Sequence, residues 1–163
     1  MALDTAIVAQ QDKAPAIAGY AKLAHVGIAG TNPAELAVFY EEMFGLAVTD
    51  TIKLTQPPVG AVFASSKPAD EHHEVAIFDN AQFCHIAFKV DCAADLAAYY
   101  QVVKAKGLPI VFLADHTVSV AMMFVDPAGN AVEVYLPTGP SDQTVSFMPL
   151  DEPQLLARLA ELS

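Results

Sequence analysis

The stretch Ala24-His25-Val26-Gly27-Ile28 returns sixty residues later as Cys84-His85-Ile86-Ala87-Phe88. The segment that follows it, PAELAVFYEEMFGL from Pro33, returns as AADLAAYYQVVKAKGL from Ala93. At this offset His25 meets His85, Leu36 meets Leu96, Ala37 meets Ala97 and Tyr40 meets Tyr100, with Glu35/Asp95 and Phe39/Tyr99 as near matches. Identity at matched positions across one fixed period is the mark of an internal duplication, so the chain carries two copies of one unit.

Each copy opens on a short apolar run that reads as a strand, Lys22 to Ala29 and Phe83 to Val90. A helix follows each. Asn32-Pro33 has the form of an N-cap with Pro at the first helical position, Leu36, Phe39, Tyr40 and Met43 recur at helical spacing, and Gly45 ends the run. Leu96, Tyr99, Tyr100 and Val103 make the second stripe, with Lys104 and Lys106 in the last turn and Gly107 as the stop. The spacing places these helical aromatics, Phe39, Tyr40, Phe44, Tyr99 and Tyr100, in the core. Three β-rich stretches come next in each copy: Ala47 to Leu54, Gly60 to Ser65 and His73 to Phe78, then Pro109 to Leu113, Ser119 to Val125 and Ala131 to Leu136. Asp126-Pro127-Ala128-Gly129-Asn130 is a turn between the last two, because Pro presets one dihedral and Gly and Asn accept positive φ. Both units therefore read βαβββ. The fold class is α+β. Residues 1–20 form an N-terminal extension, 21–80 and 81–137 are the two units of a single domain, and 138–163 form a C-terminal extension. A short helix over Glu152 to Leu162 is striped by Leu155, Leu156, Leu159 and Leu162.

Composition narrows the function classes. Eight Lys and Arg against 19 Asp and Glu give a formal charge of -11 over 163 residues, so nucleic acid and anionic membranes are repelled. A mean hydropathy of +0.37 is high, yet no apolar run reaches the ~18 residues of a membrane span. The excess apolar surface points to a second subunit, a homodimer or higher homo-oligomer. The first twenty residues lack the basic region and apolar core of a signal peptide, so a cytoplasmic protein is expected. Cys84 and Cys92 are too few for a disulfide framework or a thiolate zinc site, and Cys84 reads as a buried, inert thiol.

The duplication gathers the ionisable side chains. His25 and His85 occupy the same place on the first strand of each unit, and the same offset applied to the last strand carries His73 to Glu133. Strand alternation puts His25 on the face opposite Ala24, Val26 and Ile28, and Glu133 on the face opposite Val132 and Val134. Two imidazoles and a carboxylate converging with open positions make the facial set used by non-haem Fe(II) oxygenases. His72 and Glu74 compete with His73 for a place beside this trio.

A doubled βαβββ unit with AHVGI, FYEEMFGL, FCHIAF and FVDPAGNAVEVY in that order resembles the vicinal oxygen chelate superfamily of glyoxalases, bleomycin-resistance proteins and extradiol dioxygenases, over roughly residues 20 to 137. The resemblance implies a cupped, open mixed β-barrel with helices outside, holding a divalent metal that chelates adjacent substrate oxygens. Within that superfamily the chain looks most like a small one-domain type I extradiol dioxygenase. On that likeness His25, His85 and Glu133 are the metal ligands, His73 is the acid/base and His116 a further histidine beside the substrate. The implied metal is Fe(II), with Mn, Ni or Zn as the other candidates, and the implied partners are a catechol-like small molecule and dioxygen. Met123 departs from the pattern, standing where a tyrosine hydroxyl usually bonds the substrate, a bond no thioether donates. Two other readings stay open. One is a glyoxalase-like lyase or isomerase in which His73 or Glu74 supplies a fourth ligand; the other is a non-catalytic protein that sequesters a small molecule in the cup.

Overall fold

A computed structural model describes residues 19–55 and 58–163, so all but the last two residues of the extension expected over 1–20 lie outside the described residues. The first unit runs β1 (Lys22–Ala29), α1 (Pro33–Phe44), β2 (Ala47–Thr55), β3 (Pro58–Ser65) and β4 (Val75–Phe78). The second runs β5 (His85–Lys89), α2 (Ala93–Ala105), β6 (Ile110–Asp115), β7 (Ser119–Val125) and β8 (Ala131–Pro137), and β9 (Met148–Pro149) and α3 (Glu152–Glu161) close the chain. The strands form one mixed sheet in the order β2-β3-β4-β1-β5-β8-β7-β6-β9, curled into a half-barrel with the helices outside. The α+β, glyoxalase/dioxygenase-like class read from the sequence is what the chain adopts.

The local signals act where expected. The Asn32 side chain accepts from the Glu35 backbone N–H at the start of α1, and Gly45 ends that helix in the left-handed region, φ 71°. In the 126–130 turn Asp126 Oδ1 accepts from the backbone of Ala128 and Asn130, with Gly129 at φ 94°. That turn closes the β7–β8 hairpin in the register that sets Met123 opposite Glu133.

Four expectations are corrected. The last strand of the first unit starts at Val75, which leaves His73 in the loop before it. Phe83 falls in a short 3-10 turn, Ala81–Phe83, and β5 begins at His85. Phe39 and Phe44, placed in the core by their spacing, are 48% and 61% exposed. Among the described residues α1 presses Leu36, Ala37 and Tyr40 onto the sheet, against Val62 and Ile77, and nothing among them covers its outer aromatics. Tyr100 is buried as expected. Cys84, expected to be buried, is partly exposed.

The larger core lies under the second unit, where Leu96, Tyr100 and Val103 of α2 meet Val120, Met122 and Val134 of the sheet. Leu155 and Leu159 of α3 complete it, and Asp151 and Gln154 cap that helix reciprocally. Arg158 of α3 donates to Asp115, the residue before His116, so the terminal helix also braces that histidine's strand. Leu155→Ala empties a fully buried position and should lower the unfolding free energy by about 2–5 kcal/mol, read by urea titration. An unchanged midpoint would mean that α3 does not belong to this core.

Candidate metal centre

The two units meet where β1 pairs antiparallel with β5, and each first strand takes its own last strand as a parallel neighbour. His25 sits on β1, His85 at the start of β5 and Glu133 on β8. Gly27 lies opposite His85; a Cβ there would come within 2.6 Å of His85 Nδ1 and 3.0 Å of the Phe78 ring. Its missing side chain is what lets the His85 ring lie across β1.

The three side chains converge. His25 Nε2 lies 3.0 Å from His85 Nε2 and 3.0 Å from Glu133 Oε2, and His85 Nε2 lies 3.4 Å from the same oxygen. His25 and Glu133 are buried. His85 Nδ1 faces the Phe83 carbonyl at 2.7 Å, and since a carbonyl only accepts, the proton is on Nδ1 and the Nε2 lone pair is bare. The buried Nδ1 of His25 has no partner among the described residues, so its proton is better placed on Nε2, between Glu133 and His85. Two bare acceptors, His85 Nε2 and Glu133 Oε2, thus crowd one proton-bearing nitrogen, and a cation taking that proton's place would face three donor atoms. Ligands ~2.0–2.2 Å from a cation stand ~3.0–3.5 Å from one another, which these separations match. The donor set therefore fits a divalent metal.

The electrostatics follow from burial and pairing. Burial pulls the Glu133 carboxyl up, but the hydrogen bonds and charges of His25 and His85 outweigh it and hold the group well below the usual carboxylate range. Burial lowers His25 despite Glu133, whereas at His85 the pull of Glu133 and the Phe83 carbonyl overcomes burial and raises it. Glu133 is thus an anion whose cationic partner, when protonated, is His85. Burial, with the neighbouring His25 and His72, pushes His73 well below its ordinary value, so it is neutral at pH 7.

His73 and His116 join the same cavity from opposite sides. The His73 ring packs on His25 at 4.2 Å between centroids, and its Nδ1 shares a proton with His72 Nδ1 at 2.7 Å. His116 Nδ1 donates to the Ser146 carbonyl at 2.8 Å, which leaves its Nε2 bare and 3.9 Å from Glu133 Oε1. Thr117, next in the chain, holds φ 73°, a conformation bulky residues avoid, and its N–H bonds Asp115 Oδ1. Glu74 is not brought in. Its carboxylate accepts from the Ser66 backbone at 2.7 Å.

The offset that carried His73 to Glu133 does not hold on the last strands. Val26 pairs with Val75 and Gly27 with Ala76, while Ile86 pairs with Val132 and Ala87 with Glu133, so the residue equivalent to Glu133 is Ala76. The connection from β3 to β4 is longer than the β7–β8 turn, and it slides the first unit's last strand by three positions. Alanine offers no ligand atom.

Residues 22–134 match the model of the glyoxalase/bleomycin resistance protein/dioxygenase superfamily. The chain belongs to that superfamily. No curated protein matches it. Among solved structures, a 2,2',3-trihydroxybiphenyl 1,2-dioxygenase from Sphingomonas wittichii has a similar fold, with a TM-score of 0.60 at 17% identity over 82% of this chain and 45% of that one. An Mn(II)-bound glyoxalase from Novosphingobium aromaticivorans gives 0.61 at 20% identity over 77% and 40%. A methylmalonyl-CoA epimerase from Mycobacterium tuberculosis gives 0.57 at 18% over 72% and 88%. The chain thus spans less than half of the first two structures it resembles and most of the third. Superfamily members bind small molecules, and no helix among the described residues is long and apolar enough to cross a membrane.

Several residues that line the cavity or contact its lining carried no sequence signal. Asp50 on β2 lies 3.7 Å from His72 Nε2 and accepts from the Val145 backbone. Residues 138–150 strap the mouth of the cup: Ser141 Oγ donates to the Pro68 and Ala69 carbonyls, and Phe147 packs on Phe112 and His116. Tyr135 did have a signal, since it shares the Glu133 face by alternation. Burial and the charges of Glu71 and Glu133 raise it, so its phenol stays protonated.

Proposed function

We propose that the protein is a metal-dependent extradiol dioxygenase that opens the ring of a catechol-like diol. The observation that carries this reading is the count of ligands. His25, His85 and Glu133 converge, while Ala76, at the position symmetric with Glu133, supplies no donor, so half of the coordination sphere is left for small molecules. A glyoxalase-like site closed by a fourth ligand loses the symmetric position and Glu74, which is bonded elsewhere, and would have to take His73, whose Nδ1 is bonded to His72 and which stands outside the converging trio. A merely sequestering protein has no need of the buried trio.

A divalent metal bound there, Fe(II) before Mn(II), Ni(II) or Zn(II), would supply a Lewis acid that holds both diol oxygens and a redox centre for dioxygen. The overall reaction takes one diol and one O2, breaks the ring carbon–carbon bond beside the diol and places both oxygen atoms in the product, so no further reductant is needed. His73, neutral and facing the cavity, takes the proton the diol gives up and returns it to the product. His116 presents the bare Nε2 fixed by Ser146 as an acceptor for the substrate hydroxyl. The strap of residues 138–150 keeps water from the trio. The homo-oligomer expected from hydropathy belongs to this reading, with Phe39, Met43 and Phe44 of α1 as exposed apolar surface.

The test is oxygen uptake by protein loaded anaerobically with Fe(II), on catechol. One O2 per diol and a yellow ring-opened product are expected. Bound metal with no oxygen uptake moves the assignment to the isomerase class, and no bound metal moves it to a binding protein.

A further inference from the structure

One apolar cluster makes a whole wall of the cavity. Val59, Ala61, Phe63, Ala76 and Phe78 form its buried part, and Ile52, Leu54, Phe83 and Val145 pack against them. All of these except Ala61 line the cavity. Phe83 stacks on Phe78 at 5.7 Å, and Phe78 lies 5.9 Å from the His85 ring, so the wall begins at the ligand trio and runs outward from it.

The charged lining has one sign to spare. Asp70, Glu71 and Glu133 face the cavity, and the one cationic side chain among the described lining residues, Lys89, is paired with Glu71. An anionic substituent directed along the wall would meet no free cation and would lose its water without compensation. An ammonium directed along the wall would meet hydrocarbon where it needs acceptors, because the wall residues are all apolar and neither Asp70 nor Glu71 is among them.

Building on the ring-cleavage reading, we infer that the substrate is an uncharged catechol carrying an apolar alkyl or aryl substituent, which lies along the wall formed by Ile52, Leu54, Val59, Phe78, Phe83 and Val145. Each methylene buried there tightens binding about fourfold, the ordinary yield of apolar transfer.

Three diols that share ring and attachment point separate the possibilities: 4-ethylcatechol, dopamine and 3,4-dihydroxyphenylacetate. Titrated anaerobically into Fe(II)-loaded protein, 4-ethylcatechol should bind at least about tenfold tighter than either charged congener, and the series catechol, 4-methyl-, 4-ethyl- and 4-propylcatechol should climb about fourfold per step. The same side chains on plain benzene, namely ethylbenzene, phenethylamine and phenylacetate, followed by NMR shifts, repeat the test without the diol. A charged member binding as tightly as the ethyl compound in both series overturns the inference. If the diols fail to bind while ethylbenzene keeps its rank, ring cleavage falls and the apolar class stands. Leu54→Lys adds a cation at a partly exposed wall position, and should raise affinity for 3,4-dihydroxyphenylacetate about tenfold while lowering that for 4-ethylcatechol. Unchanged affinities for both, with the fold intact by circular dichroism, would place the substituent elsewhere and overturn the assignment.

Discussion

Glu133→Ala is expected to leave a folded protein that no longer retains metal and no longer consumes oxygen. Glu133 supplies the only charged donor of the trio, and its oxygen is the atom that both imidazoles approach, at 3.0 and 3.4 Å. Without it a divalent cation in that buried place has two neutral ligands and no counter-charge, a condition low-dielectric surroundings penalise heavily. Changing residues that only support a ligand costs 10–100-fold in metal affinity, so losing a ligand itself should exceed about 100-fold. Metal per chain after gel filtration, measured by plasma mass spectrometry, reads the loss directly, with circular dichroism checking the fold. Glu133→Gln preserves the shape and removes the charge; it should lose metal as well. Full metal occupancy in both variants would show that the cation lies elsewhere.

His73→Gln separates acid/base work from metal binding. Glutamine retains an amide that can hydrogen-bond His72, now 2.7 Å away through Nδ1, but it cannot accept a proton near neutral pH. If His73 moves the diol's proton, kcat should fall by about 10²–10⁴-fold while metal content stays near that of the parent protein. A matching fall in bound metal would make His73 a ligand and close the site in the glyoxalase manner. An unchanged kcat would remove it from the chemistry altogether.

Much of this architecture was legible because a duplication turns one-dimensional spacing into three-dimensional symmetry. His25 and His85 could be paired from the sequence since both first strands keep the same offset, and β1 and β5 are neighbours about the pseudo-symmetry axis. Glu133 was reached by carrying the same offset from His73, a step that fails on the last strands, and strand alternation is the part of that reading which holds. The fourth position was misread because the offset changes after the β3–β4 connection, and a loop-length difference leaves no trace in a hydrophobic pattern. Phe39 and Phe44 were misplaced for another reason: helical spacing gives a face, not what covers it, and α1 meets the sheet through a narrow stripe. The 138–150 strap was invisible because its place at the cavity rests on long-range contacts, such as the Val145 N–H to Asp50 bond across 95 positions. The C-terminal helix was readable from its leucines alone, and Leu155 and Leu159 are the two it buries.

The central claim is a divalent metal held by three protein ligands with the rest of its sphere open. Anomalous scattering at the iron edge from crystals of the Fe(II)-loaded protein tests it most directly. The account predicts one peak about 2.0–2.3 Å from His25 Nε2, His85 Nε2 and a Glu133 oxygen, with no fourth protein atom in contact. A peak with His73 as a fourth ligand, or a peak away from this trio, would contradict it.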